Sequence, residues 1–408
     1  MNDISFGLDP CALGALAPAR AETLVGLSID DPRVPTPSLL VEEPRLLANI
    51  ARAKKRCREL GVTYRPHVKT HKSIAIARMQ TASPEGPITV STLAEARAFA
   101  AAGVRDILFA VGIAPQKLAE VKRIRDAGCD LKVILDSLEA ARAVSEFCER
   151  ESCGIPVLLE IDVDGHRSGI PPESPALLEV ARGLTGGARL AGVLTHAGDS
   201  YEAKGREARA GAAEAERAGI VRAAGRLRAA GLTVDIVSLG STPTLMSAVS
   251  EEGVTEVRAG VCVFFDLFMT NVGVCSIDDI AVSVLTTVIG RREDKGIVLT
   301  DSGFLALSRD RGTQRQAHDY GYGLVRDLSL GAIGSEEILL SGTNQEHGLM
   351  KLPDPTRPGA ATQADFPLGR RVRILPNHAC PTAAPYAHLL LVRDGVVKAV
   401  LGHVRGWE

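Results

Sequence analysis

The sequence predicts a (β/α)₈ barrel followed by a separate β domain. Three observations carry that reading. Eight short strand-like runs alternate with helix-like runs between residues 62 and 260. No Gly-x-Gly-x-x-Gly follows the first run, which weakens the competing open, nucleotide-binding sheet. After about residue 275 the helical spacing stops, and only strand-like runs and loops remain.

The eight runs are residues 62–67, 88–91, 107–111, 131–136, 156–162, 190–196, 233–240 and 256–260. Between them apolar residues recur at helical spacing, as in Leu118, Val121, Ile124 and Ala127. Residues 177–184 and 208–230 read the same way. Alternation of this kind means parallel strands with crossover helices, and eight units favour closure into a barrel. The later strands are 280–289, 297–300, 338–341, 371–375, 389–392 and 396–401. The barrel is therefore expected over 36–272 and the β domain over 273–408. Residues 1–35 read as an N-terminal extension. Residues 36–41 form a strand suited to join the β domain, ahead of a first helix over 44–60. Residues 354–363, rich in Pro, Ala and Thr, read as a surface loop.

A chain of 408 residues is long enough for two domains. Its 47 Lys and Arg against 49 Asp and Glu leave a formal charge of −2, so nucleic acid is not an expected partner. No apolar run reaches the roughly 18–20 residues that span a bilayer, so no membrane is expected either. Residues 1–21 lack the basic-then-apolar pattern of a signal peptide. Eight scattered cysteines, several in apolar segments, fit reduced thiols and a cytoplasmic address.

Barrel enzymes carry their chemistry at the C-terminal ends of the strands. Reading those ends in order gives Lys69 in Arg65-Pro66-His67-Val68-Lys69-Thr70-His71-Lys72, then Thr92, then Arg167, then His196, then Gly240-Ser241-Thr242-Pro243-Thr244, then Gly260. A solvated lysine is the plainer reading for Lys69, and a surface ion pair for Arg167. Their shared address on one rim argues otherwise. Lys69 suits a Schiff-base amine, activated by burial and neighbouring cations. Lys72 is close by, and spacing alone does not separate the two. Gly240 allows close backbone approach, Thr242 suits a helix N-cap and Pro243 the first helical position, so the helix start is expected to bind a phosphate. Arg167 facing a pyridine nitrogen would leave that nitrogen unprotonated. These pieces suggest a pyridoxal-phosphate enzyme.

His378-Ala379-Cys380 is the expected metal site. On an extended segment residues i and i+2 share a side, and imidazole with thiolate suits a divalent ion, with zinc favoured and manganese or magnesium as alternatives. His347, in Asn344-Gln345-Glu346-His347-Gly348, is expected to orient the substrate or the site.

These segments resemble the D-serine dehydratase / D-threonine aldolase family of fold-type III, alanine-racemase-like pyridoxal-phosphate enzymes. The matching stretches are 65–72, 162–169, 195–201 (THAGDSY), 238–244 (SLGSTPT), 256–266 (EVRAGVCVFFD), 344–348 (NQEHG) and 378–380. Segments 273–275, 281–290, 308–312, 319–323 and 366–380 are nearest to the branch that acts on 3-hydroxyaspartate. The resemblance implies a Schiff base at Lys69 and a metal on His378 and Cys380. It implies Arg167 at the pyridine nitrogen, phosphate contacts from Gly240, Ser241, Thr242 and Gly260, and cofactor contacts from His67, Thr92, His196 and Tyr201. Family aldolases usually carry His-x-Asp and dehydratases His-x-Cys, so Cys380 favours elimination.

The expected reaction is loss of the β-hydroxyl from a D-3-hydroxy amino acid. A 3-hydroxyaspartate would give oxaloacetate and ammonia; D-serine would give pyruvate and ammonia. Arg309, Arg311 and Arg315 are candidates for the second carboxylate of hydroxyaspartate. Retro-aldol cleavage to glycine and an aldehyde is the alternative on the same site. A racemase would want a tyrosine base, for which Tyr320, Tyr322 and Tyr386 are available. A non-catalytic pyridoxal-phosphate carrier would need no second domain. The resemblance also implies a head-to-tail homodimer.

Overall fold

The computed structural model describes residues 23–407; the readings for residues 1–22 lie outside the described residues. The chain divides into two compact units. One is Ile50–Cys262; the other joins the residues up to Asn49 to Val263–Arg405. The first strand, β1 (Ser38–Glu42), belongs to the second of these.

The next eight strands build the unit Ile50–Cys262. They are β2 (Thr63–Pro66), β3 (Ile88–Val90), β4 (Asp106–Gly112), β5 (Asp130–Leu135), β6 (Ile155–Ile161), β7 (Ala188–Thr195), β8 (Ile236–Leu239) and β9 (Glu256–Ala259). Neighbours in the order β2-β9-β8-β7-β6-β5-β4-β3 all run parallel. A parallel bridge between His67 and Thr89 joins the two ends of that order and closes the barrel. All eight expected strands are present. The seventh starts at Ile236 rather than 233, because residues 232–235 remain in the turn that leaves helix Gly205–Ala229.

The strands form where the sequence is apolar on both faces. Ile155–Ile161 is buried throughout, as a parallel strand covered by helices must be. In helix Leu118–Asp126 the buried side chains are Leu118, Val121 and Ile124, the apolar stripe that the spacing predicts. Some buried positions are charged instead. Arg65, only 3% exposed, donates Nε to Glu256 Oε2 at 2.8 Å and Nη1 to Asp106 Oδ1 at 2.9 Å. Ser238 bridges Glu256 (2.7 Å) to Arg258 Nη1 (2.7 Å). Each of these buried charges is thus paired, as burial requires.

The other unit is a nine-stranded sheet in the order β11-β14-β13-β12-β15-β10-β1-β16-β17. Here β10 is Val282–Arg292, β11 Ile297–Thr300, β12 Leu324–Arg326, β13 Ile338–Thr343, β14 Gly348–Lys351, β15 Arg371–Leu375, β16 His388–Arg393 and β17 Val396–Gly402. The long β10 also pairs with β11, with a register shift between Val288 and Gly290. That bulge bends β10 so that six antiparallel strands close into a small ring. Strands β1, β16 and β17 extend it, β1 pairing in parallel with β16. Leu24, Ile29 and Val34 pack with Leu40, Leu285, Leu390, Val392 and Val397 into one apolar cluster. Strands β12 and β14 were not anticipated from sequence. Residues 354–363 form an irregular, mostly exposed loop, as expected.

Candidate functional site

At the barrel rim, Lys69 lies in the 3₁₀ turn Val68–Thr70 directly after β2. Its side chain is exposed, not buried as the sequence reading had it. Its charge nonetheless reaches two histidines. Burial first, then the charges of Lys69, Arg258 and His196, push the His67 imidazole well below its usual range. Burial lowers His196 to about 4; its hydrogen bond to the Gly240 carbonyl opposes the shift, and Lys69, Arg258 and Arg167 add to it. That bond, from Nδ1, is 2.9 Å. The His67 Nδ1 atom is buried with no hydrogen-bond partner. The Tyr201 ring lies 6.0 Å from the His196 ring, tilted by 53°. Lys69, His67, His196, Tyr201 and Arg167 are therefore one neighbourhood.

Lys72 is differently placed. Its Nζ is 3.1 Å from Glu95 Oε1, and Glu95 is fully buried. The same carboxylate accepts from Ser91 N at 2.9 Å, while Thr92 Oγ1 caps the helix by accepting from Glu95 N at 3.0 Å. Arg167 Nη2 is 3.2 Å from Glu160 Oε1, with Arg167 59% exposed and Glu160 buried. Among the described residues Lys69 makes no ion pair.

The loop after β8 differs from expectation by one position. Ser241, not Thr242, is the N-cap. Ser241 Oγ accepts from Thr244 N at 3.2 Å, and Thr244 Oγ1 accepts from Ser241 N at 3.1 Å. This reciprocal cap engages two backbone donors that the sequence reading left for a phosphate. It also leaves the Thr242 hydroxyl to accept from Cys262 N at 3.2 Å. Gly240 has φ +137°, and a Cβ there would sit 2.2 Å from the Arg258 carbonyl oxygen. The close approach that Gly240 allows is thus to the backbone of Arg258. A Cβ on Gly260 would meet His67 O at 2.9 Å and Thr70 Oγ1 at 3.0 Å. Buried Glu216, which the sequence reading missed, accepts from Ala197 N (2.9 Å) and Gly240 N (3.1 Å) and so ties the ends of β7 and β8 together.

In the other unit, His378 is the N-cap of the short helix Ala379–Ala383. Cys380 lies in the first helical turn, so the extended geometry expected for the pair is wrong. Pro381 was the available signal, since proline is accepted in a first helical turn. The two side chains still meet. The His378 pKa is raised well above its usual value: burial works against the charge, but hydrogen bonds to Asp310 and Cys380 and the nearby Asp266 outweigh it. His378 Nδ1 is 2.6 Å from Asp310 Oδ2. Asp266 Oδ2 accepts from Ala379 N at 2.9 Å, while its Oδ1 accepts from Met269 N at 2.9 Å. One buried carboxylate thereby fixes the backbone between His378 and Cys380. Asn377 is held by Thr313 Oγ1 at 2.8 Å and by donating to Gly321 O at 2.5 Å.

His347 sits in the exposed turn between β13 and β14, where Asn344 N donates to His347 O at 2.8 Å. Among the described residues no hydrogen bond links its ring to His378 or Cys380. Tyr386 donates its hydroxyl to Ala306 O at 2.9 Å, and burial raises its pKa, which makes it a poor racemase base. Arg311 is bound to Asp319 at 2.6 Å and lies over Tyr322. Arg309 lies 3.9 Å over the Phe304 ring and is exposed.

Two cofactor fits follow. The orphaned His67 Nδ1, the Lys69 amine, the Arg167 guanidinium and the hydroxyls of Ser241 and Thr242 suit an anionic aldehyde such as pyridoxal phosphate. Imidazole and thiol in contact suit a borderline-soft divalent ion. Among the described residues no group of three or more His, Cys, Asp or Glu could hold a metal.

The family model described as "Alanine racemase, N-terminal domain" matches residues 41–267, and a serine dehydratase domain matches 281–392. The chain is 50% identical over 379 residues to D-threo-3-hydroxyaspartate dehydratase of Delftia sp. (strain HT23), covering 91% of this chain and 98% of that protein. It is 28% identical over 386 residues to the D-serine dehydratase of Dictyostelium discoideum, covering 88% and 93%. A solved structure of a D-threo-3-hydroxyaspartate dehydratase mutant in the metal-free form matches with a TM-score of 0.88 at 48% identity, covering 93% of this chain and 100% of that one. Barrel, rim lysine, His-x-Cys pair and these likenesses converge: the chain belongs to the D-serine dehydratase / D-threonine aldolase family of alanine-racemase-like lyases.

Proposed function

We propose that the chain eliminates the β-hydroxyl of a D-3-hydroxy amino acid. D-threo-3-hydroxyaspartate is the substrate it fits best, giving oxaloacetate and ammonia; D-serine would give pyruvate and ammonia. The observation that carries this reading is the placement of His378 and Cys380 two residues apart at the start of one short helix, with His378 held by Asp310. A thiolate in that pair is the dehydratase arrangement, and the 50% identity to a named dehydratase supports it.

Pyridoxal phosphate, when bound, supplies an electron sink that acidifies the Cα–H bond. Lys69 would hold its aldehyde and then exchange the proton at Cα. Arg167 would face the pyridine nitrogen and, being unable to release its own proton, keep that nitrogen unprotonated. His67, Thr92, His196 and Tyr201 would line the ring, with neutral imidazoles at pH 7. The loop of Gly240, Ser241 and Thr242, together with Gly260, would carry the phosphate through the Ser241 and Thr242 hydroxyls, since the Gly240 and Ser241 N–H groups are held by Glu216 and Thr244. A divalent ion, zinc favoured over manganese or magnesium, would bind His378 and Cys380 and make the β-hydroxyl a better leaving group. His347 would orient the substrate. Arg309, close in sequence to the metal pair's partner Asp310 and without the carboxylate that occupies Arg311, would read the second carboxylate.

A head-to-tail homodimer is part of the same proposal. The exposure of Lys69 in the single chain supports it, since a catalytic amine works best shielded from water. A cytoplasmic address is proposed from the seven described cysteines, none of which is in a disulfide. No helix among the described residues is long and apolar enough to cross a membrane.

The test is a panel of D- and L-3-hydroxy amino acids, scored for ammonia, keto acid and aldehyde with and without added metal. Ammonia and oxaloacetate from D-threo-3-hydroxyaspartate support the proposal. Glycine and an aldehyde would make the chain an aldolase, and no turnover of any member would return the carrier reading.

A further inference from the structure

We infer that Asp310 is a positioning residue for the metal pair: it holds the His378 imidazole through Nδ1 and leaves Nε2 as the nitrogen that would bind an ion. The inference rests on the reading of His378 and Cys380 as metal ligands. Asp310 Oδ2 is 2.6 Å from His378 Nδ1, the length of a charge-assisted hydrogen bond. The two partners are 68 residues apart in sequence, so the contact is made by the fold and not by local geometry. Asp310 is itself held in place, its backbone N donating to Ser308 Oγ at 3.0 Å. Both side chains are 39% exposed, so neither is merely filling a core.

The chemistry of imidazole gives the contact its meaning. A ring that donates Nδ1–H to a carboxylate is fixed in one tautomer, with its lone pair on Nε2. The carboxylate also makes that nitrogen a better donor to a cation, and loss of such a partner typically weakens metal binding about 10–100-fold. Asp310 is not needed as a third ligand. Its Oδ2 is engaged by Nδ1, and among the described residues no group of three or more His, Cys, Asp or Glu is placed to hold a metal. Asp266 completes the support from the other side by holding Ala379 N at 2.9 Å. The backbone between the ligands and the ring of one ligand are thus fixed by two different carboxylates.

The experiment is a zinc titration against a chromophoric chelator. It uses cofactor-loaded protein stripped of metal, as wild type, Asp310→Asn and Asp310→Ala. Asparagine keeps an acceptor for Nδ1–H and loses the charge; alanine loses both. Zinc affinity should fall about 10-fold in Asp310→Asn and about 100-fold in Asp310→Ala. The thermal midpoint of the metal-free proteins and the visible cofactor band should stay at wild-type values. Wild-type zinc affinity in Asp310→Ala, or in Asp310→Asn should the alanine variant not fold, overturns the inference and leaves the metal pair standing. A wild-type protein that binds no zinc overturns the parent reading together with it.

Discussion

Lys72 Nζ lies 3.1 Å from a carboxylate oxygen of Glu95 that is wholly removed from solvent. This pair separates two lysines that the sequence could not distinguish. Lys72 is committed to neutralising a buried charge, while Lys69, three residues earlier, faces the rim histidines. Removing Lys72 would strand the Glu95 charge, so Lys72→Met should cost about 3–5 kcal/mol of folding stability in urea titration. It should leave the visible cofactor band in place. Lys69→Ala should do the opposite, keeping stability, losing the band and lowering turnover about 10²–10⁴-fold.

Much of this was legible from sequence. Most of the eight barrel strands were, because a buried parallel strand is a largely apolar run, while β2 and β9, which carry buried Arg65, Glu256 and Arg258, were legible from their place in the alternation. So were the rim addresses of Lys69 and His196, which follow their runs closely, and of Arg167, which lies in the loop after β6. Strands β12 and β14 were not, being three and four residues long and flanked by glycine. Glu95, Asp266 and Asp310 were invisible for another reason. The groups they serve lie 23, 113 and 68 residues away, and no local pattern encodes such pairs.

His71 makes a pH prediction. It is buried, its Nδ1 accepts from Ser73 N at 3.0 Å, and burial lowers its pKa to about 4 against the opposing bonds to Gln80 and Ser73. Above pH 6.5 the ring is neutral folded or unfolded. Between 6.5 and 4 only the unfolded chain takes up the proton, so stability present at neutral pH is lost as pH falls through that window. The loss should reach about 3 kcal/mol. His71→Asn keeps an acceptor for Ser73 N and cannot titrate. The gap between the two proteins in urea midpoint should therefore shrink as pH drops from 7 to 4; a constant gap would contradict the assignment.

Asp266 accepts two backbone N–H groups from separate segments. Asp266→Ala should destabilise by about 2–4 kcal/mol and also reduce bound zinc, because Ala379 N loses its anchor between His378 and Cys380. Calorimetry with metal analysis checks both. Full zinc occupancy with lowered stability would limit Asp266 to capping helix Leu267–Val272.

With Arg311 paired to Asp319, Arg309 and Arg315 are left to recognise a second carboxylate, and Arg309 adjoins Asp310. Arg309→Gln should lower kcat/KM for D-threo-3-hydroxyaspartate about 10–100-fold, the worth of one charge-assisted bond, and leave D-serine turnover unchanged. Equal losses on both substrates would assign Arg309 to loop structure, where its stacking on Phe304 already places it.

The tethering lysine carries the rest, and one measurement reads it directly. Borohydride reduction of the cofactor-loaded protein fixes the coenzyme to its lysine, and peptide mass mapping then locates it. The predicted result is a pyridoxyl group on Lys69 alone. A label on Lys72, on any other lysine, or on none would contradict the account.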